Sequence, residues 1–136
     1  MYKVYVDAAY NPKQQSAAIA CNAIKDGKQH TQTHYLPHVQ DNHEAEFQAM
    51  LLALQLLETL DATQELVTLY SDSKIVVQSI EKRYAKDEVY AKWLTEILEK
   101  MDRHQLLFIN WIADKDNKAA DHLARQALYE GDLHAN

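Results

Sequence analysis

Glycine, proline and cysteine are scarce in this 136-residue chain: Gly27 and Gly131, Pro12 and Pro37, and a single Cys21. Two isolated glycines cannot build the glycine-rich loops that cradle phosphates in P-loop or dinucleotide-binding folds, so both classes are excluded. A lone thiol forms no internal disulfide, which is compatible with a reducing, cytoplasmic setting. Basic charge is also short. Fourteen Lys and Arg against 20 Asp and Glu leave a net charge of −6 at pH 7, which argues against gripping nucleic acid by bulk charge. The richest apolar run, FQAMLLALQLL, is broken by glutamines and too short to span a bilayer, and MYKVYVDAAY has no basic-then-apolar leader pattern. The expectation is a chain that neither spans a membrane nor carries a signal peptide.

The apolar and charged fractions, 47% and 25%, are those of an ordinary globular protein, and the length suits one core, so residues 1–136 are expected to form a single domain. YKVYVDAAY alternates with the period of a strand. After the turn signal NPKQQ, SAAIACNAIK reads as a second strand, and Asp26-Gly27 as a hairpin turn into KQHTQTHYL. Asn42 is a candidate N-cap for a helix reaching about Leu60, with acidic Glu44 and Glu46 near its start. ELVTLYS reads as a strand, Asp72 to about Tyr84 as a helix despite the β-branched Ile75, Val76 and Val77, EVYAKWLTEILEKM as an amphipathic helix, QLLFINWI as a strand, and Asn117 to Tyr129 as a last helix. The order βββαβααβα predicts an α/β fold: a five-stranded mixed sheet, three antiparallel strands and then parallel ones, flanked by helices.

Four carboxylates fall near element ends. Asp7 is placed near the end of the first strand, in phase with Lys3 and Tyr5. Glu46 shares a helical stripe with Ala49, Met50, Ala53 and Leu57, so it needs a cation or a wet helix end. Asp72 lies between strand and helix, where it would serve either as a helix cap or as part of a site. Asp121 precedes Leu123, Ala124, Ala127 and Leu128, and taken alone is also a dipole-favoured surface acid. In open α/β sheets the carboxyl ends of strands meet helix starts at one edge, where the four acids could converge. Such a set offers only oxygen ligands to hard cations, Mg²⁺ or Mn²⁺, and two such ions support in-line phosphodiester displacement.

YVDAAYNP, NHEAEFQAMLLAL, LYSDSKIVVQSI and DNKAADHLARQAL resemble, in order, the four catalytic blocks of the type 1 ribonuclease H family. The resemblance implies the ribonuclease H-like fold, in a short form without the basic protrusion, and two-metal-ion hydrolysis of the RNA strand of an RNA–DNA hybrid. It makes Asp7, Glu46, Asp72 and Asp121 the catalytic, metal-binding acids, with Mg²⁺ or Mn²⁺ as cofactor. Asn42 and Asn117 match positions near the nucleic acid, and Ala8, Ala9 and Ser73 lie beside the acids in the same blocks as candidate substrate contacts. There are departures. Ala8, Ala9, Lys13 and Ala18 stand in a region where the family usually has glycines. Many members carry His or Arg before N-x-x-AD, where this chain has Asp114, and His122 does not match that position.

Two bound divalent ions would shift the net charge from −6 to −2, and a weak electrostatic term then predicts weak hybrid binding. His30, His34 and His38 recur every fourth residue, but in a strand context that disfavours zinc. Trp93 reads as core rather than as a base-stacking platform. The competing function is a weakly active or inactive module of the same fold that recognises hybrid or double-stranded RNA by shape. A proofreading exonuclease is disfavoured because Asp7-Ala8-Ala9 replaces Asp-x-Glu.

Overall fold

A computed structural model describes residues 1–135. Strands β1 (Tyr2–Asn11), β2 (Ser16–Lys25) and β3 (Lys28–Leu36) lead into helix α1 (Asn42–Thr59). Strand β4 (Leu66–Ser71), helices α2 (Lys74–Lys82) and α3 (Glu88–Met101), strand β5 (Leu106–Trp111) and helix α4 (Lys118–His134) follow. The sheet order is β3-β2-β1-β4-β5. Its first three strands pair antiparallel, and β4 joins β1 and β5 in parallel. The α/β five-stranded mixed sheet expected from the element order is therefore present. Asp26 and Gly27, at φ 51° and 77°, make the β2–β3 turn, the doubly left-handed turn that Asp-Gly favours.

Alternation decides which face each strand buries. Val4 and Val6 of β1 register with Ala23 and Cys21 of β2 and with Leu69 and Ser71 of β4. With Phe47, Met50, Leu54 and Leu57 of α1 and Ile97 of α3, the apolar members of this set form the main core. Each Val, Leu, Ile, Phe and Met side chain among them contributes about 1.5–3 kcal/mol by leaving water. The opposite face meets α4, and small residues line that contact: Ala18 and Ala20 on β2, Ala120 and Ala124 on α4, all fully buried. At the far end of α4 a Cβ on Gly131 would lie 2.0 Å from Tyr35 Cδ1. The missing side chain thus lets the Tyr35 ring press against the helix, where its hydroxyl donates to Asp132 at 2.7 Å. Gly131→Ala is expected to cost about 1–3 kcal/mol by overpacking, although alanine is the better helix former; chemical denaturation checks it.

The local expectations shift at four places. The α1 cap is Asp41, not Asn42: Asp41 is extended and its Oδ1 accepts the Glu44 amide at 2.9 Å, while Asn42 is already helical. Helix α2 starts at Lys74, with Ser73 rather than Asp72 as its cap (Val76 N to Ser73 Oγ, 3.3 Å). It ends at Lys82 because Arg83 turns left-handed, φ 55°; its β-branched residues are accepted because Val76, Val77 and Ile80 are buried. Helix α4 begins at Lys118 and continues past Tyr129 to His134, where Asn11 and Ser16, at 2.9 and 2.5 Å, join Tyr35 in donating to Asp132. Asp7 lies inside β1 rather than at its end, because β1 continues into the hairpin with β2. No helix among the described residues is long and apolar enough to cross a membrane.

Candidate active site

Strand register brings the first two acids together. Val6 of β1 is the last residue to pair with β4, opposite Ser71, so Asp7 in β1 and Asp72 just after β4 follow where the parallel pairing ends. Glu46 comes from the start of α1 and Asp121 from the start of α4. All four carboxylates line one cleft of about 260 Å³, with Ala8, Asn42, Asp114 and Arg125. A larger cavity of about 640 Å³, lined by Ile75, Tyr84 and Tyr90 among others, lies between α2 and α3. Its single carboxylate, Asp87, is the α3 cap that accepts the Val89 and Tyr90 amides, so the smaller cleft is where the acid chemistry is.

The cleft is electrostatically strained. Burial pushes the Asp7 carboxyl up to about 8, helped by the charge of Asp72, the charge of Asp121 and a hydrogen bond shared with Asp121, against the pull of the Ala8 amide at 2.9 Å. Glu46 is raised by burial, opposed by His43, whose Nδ1 lies 2.9 Å from Oε1, and by the Ser73 hydroxyl. Burial likewise raises Asp72, against the Asn117 amide, and Asp114 and Asp121 add to the rise. Arg125 Nε donates to Asp121 Oδ1 at 2.9 Å. Among the described residues no three His, Cys, Asp or Glu side chains already form a group that could hold a metal ion. The donor set nonetheless fits hard divalent cations: it is all oxygen, and the charges of Asp72 and Asp121 add to burial in raising Asp7.

The candidate substrate contacts divide. Ala8, Ala9 and Asn42 line a groove of about 690 Å³ that also includes Asp121 and Arg125 of the acid cleft. Ser73 is buried, caps α2 and touches Glu46. Asn117 is only 1% exposed; its Nδ2 donates to Val6 O at 2.8 Å and to Asp72 Oδ2 at 3.2 Å, tying the middle of β1 to the residue that follows β4. Asn117 Oδ1 is buried without a hydrogen-bond partner among the described residues, and Asn117 gives α4 no side-chain cap. Asn117→Ala is expected to cost about 1–3 kcal/mol in denaturation and, by loosening Asp72, to lower any activity of the site about 10- to 100-fold.

Sequence reasoning missed the partners of these acids. His43 and Arg125 stand at i,i+3 and i,i+4 from Glu46 and Asp121, a spacing that helix geometry would have flagged. Trp111 Nε1 donates to the Asp72 carbonyl at 3.0 Å, a contact no local pattern announces. Trp93 packs against the core and donates to Glu44 at 2.9 Å.

Comparison with known proteins settles the family. The RNase H family profile matches residues 1–129, a span that holds all four acids. The chain belongs to the RNase H family. A relative from Enterococcus faecalis (strain ATCC 700802 / V583), named "Putative hydrolase EbsB", is 42% identical over 130 residues, 94% of each chain. Among solved structures, RNase H1 from the halophilic archaeon Halobacterium salinarum NRC-1 superposes with a TM-score of 0.85 at 21% identity, covering 95% of this chain and 98% of its own. LC11-RNase H1 in complex with RNA/DNA hybrid gives a TM-score of 0.87 at 21% identity, covering 96% and 99%. At that identity the structures speak for the RNase H fold, which this chain shares over nearly its whole length.

Proposed function

We propose that this RNase H family member is a metal-dependent endoribonuclease that hydrolyses the RNA strand of RNA–DNA hybrids, leaving 5′-phosphate and 3′-hydroxyl ends. The observation that carries the reading is the meeting of Asp7, Glu46, Asp72 and Asp121, from four separate elements, in one cleft beside an open groove. These four residues would hold two Mg²⁺ or Mn²⁺ ions, which when bound supply an activated water and neutralise charge on the scissile phosphate and leaving oxygen. Asp7 would give up its proton on ion binding, since the cations would offset the charges of Asp72 and Asp121 that add to burial in raising it. Asn117 and Trp111 keep the strand end that carries Asp72 in place. Ala8, Ala9 and Asn42 line the groove where the RNA strand would lie, and contacts there to the 2′-hydroxyl distinguish RNA from DNA.

Asp114 favours the second reading, a silent hybrid-binding module: its carboxylate lines the cleft and adds to the charge acting on Asp72. Incubation with a labelled hybrid in Mg²⁺ or Mn²⁺ separates the two. Cleavage of only the RNA strand, lost in Asp72→Asn, supports the nuclease; binding without turnover, indifferent to that substitution, supports the module.

A further inference from the structure

We infer that Arg125 is the built-in counter-cation of the acid cleft, holding Asp121 until divalent ions displace it, and that the freed guanidinium then anchors a phosphate in the adjoining groove. This rests on the nuclease reading of the cleft. Arg125 is the one cation among the described residues that line the cleft, and it also lines the larger groove. Its Nε lies 2.9 Å from Asp121 Oδ1, and the charge of Asp7 reaches it as well. The other acids are relieved differently: Glu46 by His43 and Ser73, Asp72 by Asn117, and Asp7 by the Ala8 amide. Arg125 is thus the permanent positive charge bonded to one acid of the cleft and within reach of a second.

The pair is also made to open. The Arg125 side chain is 75% exposed and Asp121 39%, and an exposed helical ion pair of this kind is weak. A divalent cation brings twice the charge to several carboxylates at once, so Asp121 exchanges one partner for the other. Arg125 need not travel far afterwards. The groove it borders is lined by Ala9 to Asn11 of β1 and by the α4 residues Leu128 and Tyr129. Among the groove-lining residues it is again the only cation, and a guanidinium offers a phosphate two parallel hydrogen bonds.

Calorimetric titration of the metal-free chain with MnCl₂ tests the first half. Arg125→Gln is expected to bind Mn²⁺ about three- to tenfold more tightly than the wild type, because a competing charge near the acids is gone. Arg125→Lys, which keeps the charge, and Arg103→Gln, which removes one from the distant Glu58 pair, should stay within about twofold. Unchanged or weaker Mn²⁺ affinity in Arg125→Gln overturns the counter-cation, and an equal tightening in Arg103→Gln does so too by showing only a net-charge effect. Steady-state hybrid cleavage tests the second half: KM should rise about five- to tenfold in Arg125→Gln with a smaller change in kcat, and an unchanged KM overturns the anchor. If Mn²⁺ binds but no hybrid is cut, the nuclease reading and the phosphate anchor both fail, while the titration still decides the counter-cation. If Mn²⁺ does not bind the wild type, the counter-cation falls with the metal site.

Discussion

Asp72→Asn is expected to lower hybrid cleavage at least about a hundredfold while leaving the chain folded. Loss of groups that merely orient a metal ligand typically costs about 10- to 100-fold, and Asp72 is itself the proposed ligand, so its loss belongs at or beyond the upper end. The substitution keeps the size of the side chain and removes one negative charge from beside Asp7, so it relieves repulsion. Ser73, not Asp72, caps α2, so no helix start is lost with the carboxylate. Thermal melting of the variant should therefore show a folded protein at least as stable as the wild type without metal. Cleavage retained to within about tenfold would place the chemistry elsewhere.

Asp7→Asn should raise the stability of the metal-free protein, in a pH-dependent way. Asp7 has an ordinary value of 3.8 and is pushed up to about 8 in the fold, first by burial and then by Asp72 and Asp121. Between those values the folded chain holds a proton that the unfolded chain has released. Stability therefore falls as pH rises from about 4 to about 8, and the cost is fully present above that. An asparagine has no charge to bury and escapes the cost. Because Asp7, Asp72 and Asp121 titrate together, the gain at pH 8 is taken as about 2 kcal/mol, well below the full linkage value. That corresponds to a melting temperature about 5 °C or more higher, measured in EDTA. Near pH 4 the difference should vanish, and Mg²⁺ or Mn²⁺ should shrink it at pH 8 by stabilising only the wild-type carboxylate. A variant that melts lower than the wild type at pH 8 would show that Asp7 is not strained.

Much of the fold was legible because its periods are strong. The alternation of β1, the Asp26-Gly27 turn and the stripe of α1 each admit one local solution. Helix starts were less legible, and for one reason: Asp41 and Asn42, or Asp72 and Ser73, are neighbours of equal capping ability. Which one accepts the amide depends on the angle at which the chain enters the helix, and the packing sets that angle. At α2 the difference has consequence, since capping by Ser73 leaves the Asp72 carboxylate to Asn117 and the cleft. The partners of the acids were half legible, as His43 and Arg125 lie within one helical turn of Glu46 and Asp121, whereas Trp111 and Asn117 reach Asp72 from 39 and 45 residues away.

The amino-acid sequence by itself determined the element types, the mixed sheet, the four acids and the family, because periodicity, turn chemistry and motif order are properties of short segments. Only the tertiary structure decided what those acids experience. Parallel register set Asp7 beside Asp72, burial under α4 and against a second carboxylate raised Asp7, and Arg125 was brought to the border between cleft and groove. Charge interactions depend on distance and on access to water, and neither is written in residues that lie far apart along the chain.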